Sequence, residues 1–325
     1  MADLLVVGGA GYIGSHMVKW LADAGHRVVV FDNLSTGHAD AARFGALVVG
    51  DLANPDQLRA LFAAHRFDAV LHLAAASLVT ESVQNPAKYY RNNVSNTLNL
   101  LDAMREHGVM KLVFSSTAAI YGEPQTERIR EDHPQRPINP YGRSKWMVEQ
   151  ILADYDTAYG IHSVCLRYFN AAGAEPDGLL GERHQPETHL IPLVLQAASG
   201  RRPHITVFGR DYDTPDGSCL RDYIHVQDLC SAHALALDFL TREQRSTAFN
   251  LGNGDGFSVL EVIEVARSVT GHEIPVMYAE RRSGDPARLI ADASRAHQLL
   301  GWQPRYPNLA DLIAHAWQFE QQQAA

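Results

Sequence analysis

The feature that most constrains this chain is a glycine-rich turn placed between an apolar strand and a helix. Residues 4–7 form a continuous apolar run, glycines follow at Gly8, Gly11 and Gly14, and a helical pattern extends over residues 13–24. The free N–H groups at the start of a helix can bind phosphate when no side chain blocks the approach, which favours glycine. The turn therefore predicts a strand–turn–helix unit that binds a dinucleotide.

An acidic residue after the next strand indicates which dinucleotide is bound. The second apolar strand, residues 27–31, ends at Asp32, eighteen positions after Gly14. A carboxylate at this place accepts hydrogen bonds from ribose hydroxyls and repels a 2′-phosphate, so NAD is predicted in preference to NADP. The alternative interpretation is a turn that needs glycine only for its own backbone.

Apolar strands and helical patterns continue to alternate along the first half of the chain. Strands are predicted at residues 46–49, 69–73 and 111–114, and less regularly at 163–167, 205–208 and 248–251. Continuous apolar strands separated by helices are typical of a parallel sheet covered on both faces. We predict an α/β fold with a Rossmann-type doubly wound parallel sheet and a smaller, interleaved α/β substrate domain.

The predicted domain boundaries follow from this pattern. The NAD-binding domain is expected to cover residues 1–170 and to regain residues 222–251, and the substrate domain to cover residues 171–325. Long segments rich in Pro, Gly and Asp at 174–187 and 209–218 are longer than structural connections need, and such loops often carry binding sites.

Residues at the ends of the third and fourth strands are candidates for the same ligand. Asp51 and Leu52 follow the third strand and are expected near the adenine. Leu73, Ala74 and Ala75 follow the fourth strand, where small side chains let the backbone approach a cofactor. Small residues can also serve packing alone.

A single helix is predicted over residues 86–107, and it carries asparagines on one line. Asn92, Asn96 and Asn99 are poor helix formers, so some of them should have hydrogen-bond partners. For Asn92, contact with the ligand and a hydrogen-bonded structural role both remain open.

A tyrosine and a lysine lie one helical turn apart near the middle of the chain. A helix is predicted to begin near Asn139 and Pro140, which places Tyr141 and Lys145 on one face. The ammonium is expected to lower the pKa of the phenol, which then exchanges a proton with a substrate hydroxyl. Thr117, at the end of the fifth strand, is expected to contact the same oxygen. The alternative is an ordinary amphipathic helix whose first turn holds Tyr and Lys.

Charge and cysteine content exclude several classes of function. The net charge is −9 without a basic stripe, which argues against nucleic acid and anionic membranes as partners. The three cysteines match no zinc-binding spacing, so no metal is predicted and buried thiols in a reducing compartment are expected. No signal peptide is recognised and no apolar run is long enough to span a bilayer, so a cytoplasmic protein is expected.

Several motifs together resemble a known superfamily. The glycine turn, Asp32, the run ending at Thr117 and the Tyr141–Lys145 pair resemble the extended short-chain dehydrogenases/reductases. Within that superfamily the chain is similar, over about residues 4–302, to the UDP-glucose (UDP-galactose) 4-epimerase family. The motifs that carry the closer similarity are Gly11-Tyr12-Ile13-Gly14-Ser15-His16, Glu81-Ser82-Val83, Tyr89-Tyr90-Arg91-Asn92-Asn93-Val94, Arg167-Tyr168-Phe169-Asn170, Arg221-Asp222-Tyr223-Ile224-His225-Val226 and Arg281-Arg282-Ser283-Gly284-Asp285.

The resemblance implies roles for three groups of residues. The catalytic group would be Thr117, Tyr141 and Lys145. The group in contact with NAD would be Gly8, Gly11, Tyr12, Ile13, Gly14, Asp32, Asn33, Asp51, Leu52, Leu73, Ala74, Ala75, Asn92, Lys145 and Tyr168. The group in contact with the UDP-sugar would be Thr117, Tyr141, Asn170, His189, Leu190, Phe208, Arg221, Arg282, Asp285 and Leu289.

The implied reaction is the interconversion of UDP-galactose and UDP-glucose through a 4-keto sugar, with NAD retained by the enzyme. Val7 and His189 depart from the family, which usually has Thr and often has Asn there. The alternatives are a UDP-N-acetylhexosamine or UDP-uronate 4-epimerase and a non-catalytic NAD-sensing regulator. A 4,6-dehydratase is disfavoured, because Ala118 and Ala119 replace the acid–base carboxylate pair that follows the threonine. A homodimer formed through helices near 90–107 and 143–158 is also implied.

Overall fold

The computed structural model describes residues 1–282 and 285–324. The strands in this part of the chain are β1 Asp3–Val7, β2 Arg27–Asp32, β3 Ala46–Val49, β4 Ala69–His72, β5 Lys111–Ser115, β6 His162–Tyr168, β7 Asn170–Ala172, β8 Ile205–Phe208, β9 Leu220–Arg221, β10 Tyr223–His225, β11 Thr247–Leu251, β12 Phe257–Ser258, β13 Val276–Ala279 and β14 Arg288–Leu289.

The α-helices lie between these strands and at the end of the chain. They are α1 Tyr12–Asp23, α2 Pro55–Ala64, α3 Val79–Gln84, α4 Pro86–Tyr89, α5 Asn96–Glu106, α6 Pro140–Tyr159, α7 Leu190–Ala198, α8 Val226–Glu243, α9 Val259–Thr270, α10 Ser294–Leu300 and α11 Leu309–Ala324. Among the described residues, no helix combines the length and the apolar character needed to cross a membrane.

The central sheet has seven parallel strands in the order β11-β6-β5-β4-β1-β2-β3. Strand β1 pairs with β2 on one side, with Leu4 opposite Val28, and with β4 on the other, with Leu4 opposite Ala69. The strand order reverses between β1 and β4, and ligands of doubly wound sheets bind at the carboxyl ends of the strands at such a reversal. The predicted Rossmann-type α/β fold is confirmed.

Alternate residues of β1 enter two different apolar cores. Leu4 and Val6 pack into a core that also contains Met17 of α1 and Leu229 of α8. Leu5 and Val7 pack into the opposite core, which α2, α5 and α6 cover. Because both faces are covered by helices, every side chain of β1 after Asp3 is buried, which explains why this strand reads as an unbroken apolar run.

The second half of the chain adds smaller sheets and a third core. Strand pairs β7–β10 and β8–β13 and the three-stranded set β12-β9-β14 lie beside helices α7, α9 and α11, whose apolar faces pack together. The chain then returns to the large sheet through β11, where Phe249 pairs with Leu166 of β6. The division into domains at residues 170, 222 and 251 stays a prediction.

The prediction of one regular helix over residues 86–107 is wrong. The single helix expected over residues 86–107 is α4 and α5 joined by a π-helical turn, Tyr90–Ser95. Single π turns inside α-helices are rare and are frequent at functional sites. This turn carries Asn92 and Asn93, and Asn93 bonds to Ala76 in the segment that follows β4.

Candidate active site

The glycine turn lies at the carboxyl end of β1, beside the end of β4. Gly8 has a φ of +82°, and a Cβ there would lie 2.5 Å from the backbone nitrogen of Ala74. A Cβ on Gly14 would lie 2.0 Å from the carbonyl oxygen of Gly8. These two glycines are therefore required by the close packing of the turn itself.

Gly11 has a different reason to be glycine. A Cβ on Gly11 would meet only the Gly8 oxygen, at an ordinary 3.5 Å, so the protein alone does not exclude a side chain. Gly11 is the N-cap of α1, which has neither a capping side chain nor an acidic residue in its first turn. The N–H groups of this turn, with Tyr12 and Ile13, therefore suit a pyrophosphate that approaches closely, as NAD requires.

The Asp32 carboxylate braces the glycine turn. Its Oδ2 accepts from the Ala10 amide at 2.9 Å, and its Oδ1 accepts from the Leu34 amide at 2.8 Å. Each oxygen keeps a second lone pair, so the carboxylate can still accept from ribose hydroxyls. Asp32 thus has a structural role beside its predicted role in NAD selection.

The other predicted cofactor residues gather along the same edge of the sheet. Asn33 donates from Nδ2 to Asp51 at 3.0 Å, which joins the ends of β2 and β3. Leu52 accepts from Asn99 through its carbonyl at 2.9 Å. The amides of Leu73 and Ala74 both donate to the Val7 carbonyl, and Ala75 follows them, so this segment lies beside the glycine turn.

Replacing Asp32 should change the cofactor preference. The substitution Asp32→Asn keeps one side-chain acceptor but removes the charge, so we expect weaker NAD binding and weaker exclusion of NADP. The measurement is the ratio of dissociation constants for NAD and NADP. Asp51→Asn is the matched control, because it removes a carboxylate at the end of β3 and should leave that ratio unchanged. Wild-type protein that already carries NADP after purification would contradict the assignment.

The start of α6 is set by sequence and by one close approach. Asn139 caps the helix by accepting from the Gly142 amide at 2.8 Å, and Pro140 occupies the first turn. A Cβ on Gly142 would lie 2.4 Å from the carbonyl oxygen of Ala119. Glycine therefore allows the first turn of α6 to pack against the segment that follows Thr117, which brings Tyr141 close to Thr117.

Lys145 is buried beneath this turn and fixed by the end of β5. Its Nζ donates to the Ser115 carbonyl at 2.6 Å and lies 4.6 Å from the centre of the Phe114 ring. Lys145 as a whole residue is 3% exposed, and burial lowers the pKa of its ammonium to about 7. Lys145 is therefore only partly charged near neutral pH.

The predicted lowering of the Tyr141 pKa is wrong for this structure. Burial raises the pKa of Tyr141 above its ordinary value, and interaction with the Thr117 hydroxyl opposes that rise. The expectation assumed a fully charged ammonium in contact with the phenol, whereas Lys145 is desolvated and hydrogen-bonded to a carbonyl. At the end of β6, burial raises the pKa of Tyr168 as well, and the nearby Tyr141 phenol adds to that rise.

Thr117 is oriented by its own backbone. Its Oγ1 accepts from the Ala119 amide at 3.1 Å and so caps the short helical turn over Ala118–Ile120. That bond uses the oxygen as an acceptor and leaves the hydroxyl proton free to be donated. The arrangement suits a donor to the oxygen that exchanges a proton with Tyr141.

Asn93 connects the parts of the site, and no role was predicted for it from the sequence. Its Oδ1 accepts from the Ala76 amide at 2.9 Å, and its Nδ2 donates to the Ala76 carbonyl at 2.9 Å and to Ser144 Oγ at 3.0 Å. It therefore holds the segment after β4, the π turn and the first turn of α6 together. Asn92 donates to Asn93, so a structural role is present for it, and contact with NAD stays a prediction.

A buried ion pair lies one turn beyond Lys145. Glu149 and Arg167 have side chains 8% and 9% exposed, and the Arg167 Nε donates to Glu149 Oε1 at 3.0 Å. Ser116 also donates to Glu149, and Arg167 donates to the Tyr121 hydroxyl at 2.9 Å. The pair ties α6 to β6 directly under the Tyr–Lys turn, and the sequence analysis did not identify it.

The predicted nucleotide-binding arginines have partners within the protein. Arg221 Nη2 donates to Asp285 Oδ1 at 3.1 Å, and its Nη1 donates to the Pro286 carbonyl at 2.9 Å. The Arg282 guanidinium lies 3.8 Å from the centre of the Phe208 ring. Ser283 and Gly284, which lie between Arg282 and Asp285 in the sequence, are outside the described residues.

Asp222 joins two of the predicted substrate residues through its backbone, and the sequence analysis left it without a role. Its carbonyl accepts from the Asn170 amide at 3.0 Å, and its amide donates to the Leu289 carbonyl at 3.1 Å. Its buried carboxylate accepts from the amides of Asn253, Gly254 and Ala291. Burial raises the pKa of Asp222 to about 6.

The remaining predicted contacts lie at the start of α7. Leu190 is its first residue, and His189 is the N-cap without a capping side-chain bond. His189 instead directs Nδ1 to the carboxylate of Glu182. Its contact with a nucleotide stays a prediction, and its partners in the structure belong to a cluster described below.

Comparisons with known proteins agree with this geometry. The model of the NAD dependent epimerase/dehydratase family matches residues 4–252. The chain belongs to the NAD dependent epimerase/dehydratase family. It is 54% identical to the UDP-glucose 4-epimerase of Halalkalibacterium halodurans, over 98% of this chain and 96% of the relative, and 53% identical to that of Streptococcus mutans, over 97% and 95%.

The solved structures of family members agree with the sheet described above. The UDP-glucose 4-epimerase of Brucella ovis, solved in complex with NAD, superposes with a TM-score of 0.95 at 49% identity, covering 98% of both chains. The resemblance inferred from the motifs is therefore confirmed along nearly the whole chain.

Proposed function

We propose that this enzyme interconverts UDP-galactose and UDP-glucose by reversible oxidation at C4 through a 4-keto intermediate, with NAD as its cofactor. The observation that carries the proposal is the Thr117–Tyr141–Lys145 group, in which Thr117 and Lys145 are buried. This group lies at the carboxyl end of β5, on the same edge of the sheet as the glycine turn. The chain that holds it is 54% identical to a UDP-glucose 4-epimerase over 98% of its length.

Tyr141 acts as the proton acceptor and donor in this proposal. Ionised Tyr141 takes the proton of the 4-hydroxyl. The resulting phenol returns the proton when the 4-keto sugar is reduced on its other face. NAD, when bound, supplies the oxidation and the subsequent reduction at C4. The Thr117 hydroxyl donates to the same substrate oxygen, and Lys145 favours the ionised phenol in proportion to its own charge.

The substrate is anchored by its nucleotide rather than by its hexose. Arg221 and Arg282 bind the diphosphate, Asp285 accepts from ribose hydroxyls, and Phe208 with Leu190 packs against the uracil. The Arg221–Asp285 pair keeps both side chains in place before the substrate arrives. Anchoring at the nucleotide lets the 4-keto hexose present either face, which inversion requires.

The reaction can be tested without adding cofactor. Purified protein is mixed with UDP-galactose in buffer free of NAD, and UDP-glucose is measured by chromatography. We expect conversion to an equilibrium mixture, because each cycle restores the oxidised cofactor that the protein carries. Absence of conversion, even with added NAD, would favour the non-catalytic NAD-sensing alternative.

The size of residue 289 should set tolerance for substituents at C2 of the sugar. The half-buried Leu289 packs against a small core that contains Ala118, which follows Thr117, and Phe169, which follows Tyr168, packs against the same core. Leu289→Ser should raise turnover of UDP-N-acetylhexosamines relative to unmodified UDP-hexoses, and Leu289→Tyr should lower it. Discrimination by pocket size is worth about 1–3 kcal/mol, so we expect ratio changes of roughly 10–200-fold.

The control for this prediction is a substitution that conserves volume. Leu289→Met should leave the ratio of specificity constants close to that of the wild type. Equal ratios of specificity constants in the Ser, Tyr and wild-type proteins would indicate that Leu289 has only a packing role, between its own strand β14 and the turn after Thr117.

We also propose a cytoplasmic homodimer. Met147 and Tyr159 of α6 are 37% and 45% exposed, and apolar side chains at such positions suit a helix-to-helix interface. The cytoplasmic location is supported by Cys165, Cys219 and Cys230, which are buried thiols and suit a reducing compartment.

The dimer can be tested by its mass. Light scattering should give twice the chain mass of 35.9 kDa. A monomer at all concentrations would contradict the dimer.

A further inference from the structure

Four potential metal ligands converge in the segment that joins β7 to α7. Glu182, His184, Glu187 and His189 each offer one donor atom, and these atoms all lie within 4.8 Å of one another. The two Glu-x-His pairs repeat with a spacing of five residues. The absence of a matching cysteine pattern led the sequence analysis to predict no metal, but this set contains no cysteine.

The donor atoms of the cluster lie close enough together to share one ion. His184 Nδ1 lies 2.9 Å from Glu182 Oε1 and 3.7 Å from Glu187 Oε1, and His189 Nδ1 also contacts Glu182 Oε1. Ligands held tetrahedrally at the usual zinc–nitrogen distance of about 2.0–2.1 Å lie roughly 3.3 Å apart. His184 Nδ1 and His189 Nδ1 both contact Glu182 Oε1 more closely than this, so these side chains move apart when they surround one ion.

The carboxylates of the cluster are almost completely removed from water. The side chains of Glu182 and Glu187 are 4% and 6% exposed, whereas those of His184 and His189 are 29% and 46% exposed. Two buried carboxylates this close together repel each other and need positive charge nearby. A divalent cation supplies that positive charge while both imidazoles stay neutral. Without a cation, the histidines can supply positive charge only when they are protonated.

We propose that Glu182, His184, Glu187 and His189 bind one structural zinc ion. Two imidazole nitrogens and two carboxylate oxygens are donors that zinc accepts. Four protein ligands leave no open coordination position for substrate, which is typical of a structural rather than a catalytic site.

The position of the cluster explains what the ion does. The His184 ring packs edge-on against Tyr12 of the glycine turn, with centroids 6.3 Å apart, and His189 directly precedes Leu190 at the start of α7. Tyr12 also donates to the Gly173 carbonyl at 2.7 Å, at the beginning of the same segment. Zinc therefore fixes this segment between the predicted NAD-binding turn and the predicted uracil-binding residue Leu190.

Metal content tests the proposal directly. Full-length protein without an affinity tag is incubated with Zn²⁺, desalted and analysed by mass spectrometry for metal, and the affinity is measured by competition with a chromophoric chelator. We expect one zinc per chain in the wild type. Glu182→Gln and His184→Gln should bind zinc at least about 100-fold more weakly, since changes outside the ligands already cost 10–100-fold. His272→Gln, at an exposed histidine outside the cluster, should bind like the wild type.

The alternative is a cluster of protonated histidines and carboxylates without metal. Equal zinc content in the wild type, Glu182→Gln and His184→Gln would overturn the proposal and leave this alternative. If a variant does not fold, Co²⁺ added to the wild-type protein decides the matter. Visible absorption typical of a four-coordinate ion at one equivalent supports the site, and a spectrum of octahedral aqueous cobalt overturns it.

Discussion

The substitution Tyr141→Phe should lower kcat about 10²–10⁴-fold, because it removes the group that exchanges a proton with the 4-hydroxyl. The variant should fold and retain NAD, since phenylalanine keeps the ring of Tyr141 and only the hydroxyl is lost. Steady-state kinetics with UDP-galactose measure the loss, and absorbance after acid release measures the cofactor content.

Tyr89→Phe is the matched control for this prediction. The Tyr89 ring lies edge-on to Tyr141 with centroids 6.5 Å apart, but its hydroxyl donates away from the site to the Leu78 carbonyl at 2.6 Å. Its removal should cost stability rather than chemistry. Turnover of Tyr141→Phe close to that of Tyr89→Phe would show that another group accepts the proton.

The substitution Glu149→Leu should destabilise the fold by about 3–5 kcal/mol, the usual cost of leaving a buried charge without its partner. It removes the carboxylate that accepts from Arg167 and from Ser116. Within the described part of the chain, the acceptors that Arg167 keeps are neutral, namely the Tyr121 hydroxyl and the Glu131 carbonyl. Denaturant unfolding of the purified variant against the wild type gives the change in free energy of unfolding.

The double variant Glu149→Leu/Arg167→Met separates charge from packing. Replacing both members of a buried pair by apolar side chains is often close to neutral, so most of the lost stability should return. A Glu149→Leu variant that loses less than about 1 kcal/mol would mean that water reaches Arg167 and that the pair contributes little.

Much of the fold could be predicted from local sequence patterns, because helix ends and strand burial depend on interactions between residues close in sequence. Helix α9 begins after Ser258 because Ser258 and Glu261 form a reciprocal capping box, and it ends at Gly271 in the left-handed conformation, so both of its ends are set by residues close in sequence. The unbroken apolar strands likewise indicated a sheet covered on both faces.

The features that sequence reasoning missed depend on long-range contacts. The π turn is stabilised by the bonds of Asn93 to Ala76, seventeen residues away, so periodicity alone predicted a regular helix. The direction of the Tyr141 pKa shift depends on burial that only the packed site creates. The pairing of Arg221 with Asp285 joins residues 64 positions apart, and no local sequence pattern predicts it.

The central claim is that C4 is oxidised and reduced with the same hydrogen retained in the active site. UDP-galactose carrying deuterium at C4 is incubated with the enzyme in ordinary water, and the product is examined by NMR. The account predicts that UDP-glucose forms with deuterium still at C4, because the hydrogen leaves and returns without exchanging with solvent. Product with protium at C4 would contradict the account, since it would indicate removal of that hydrogen as a proton.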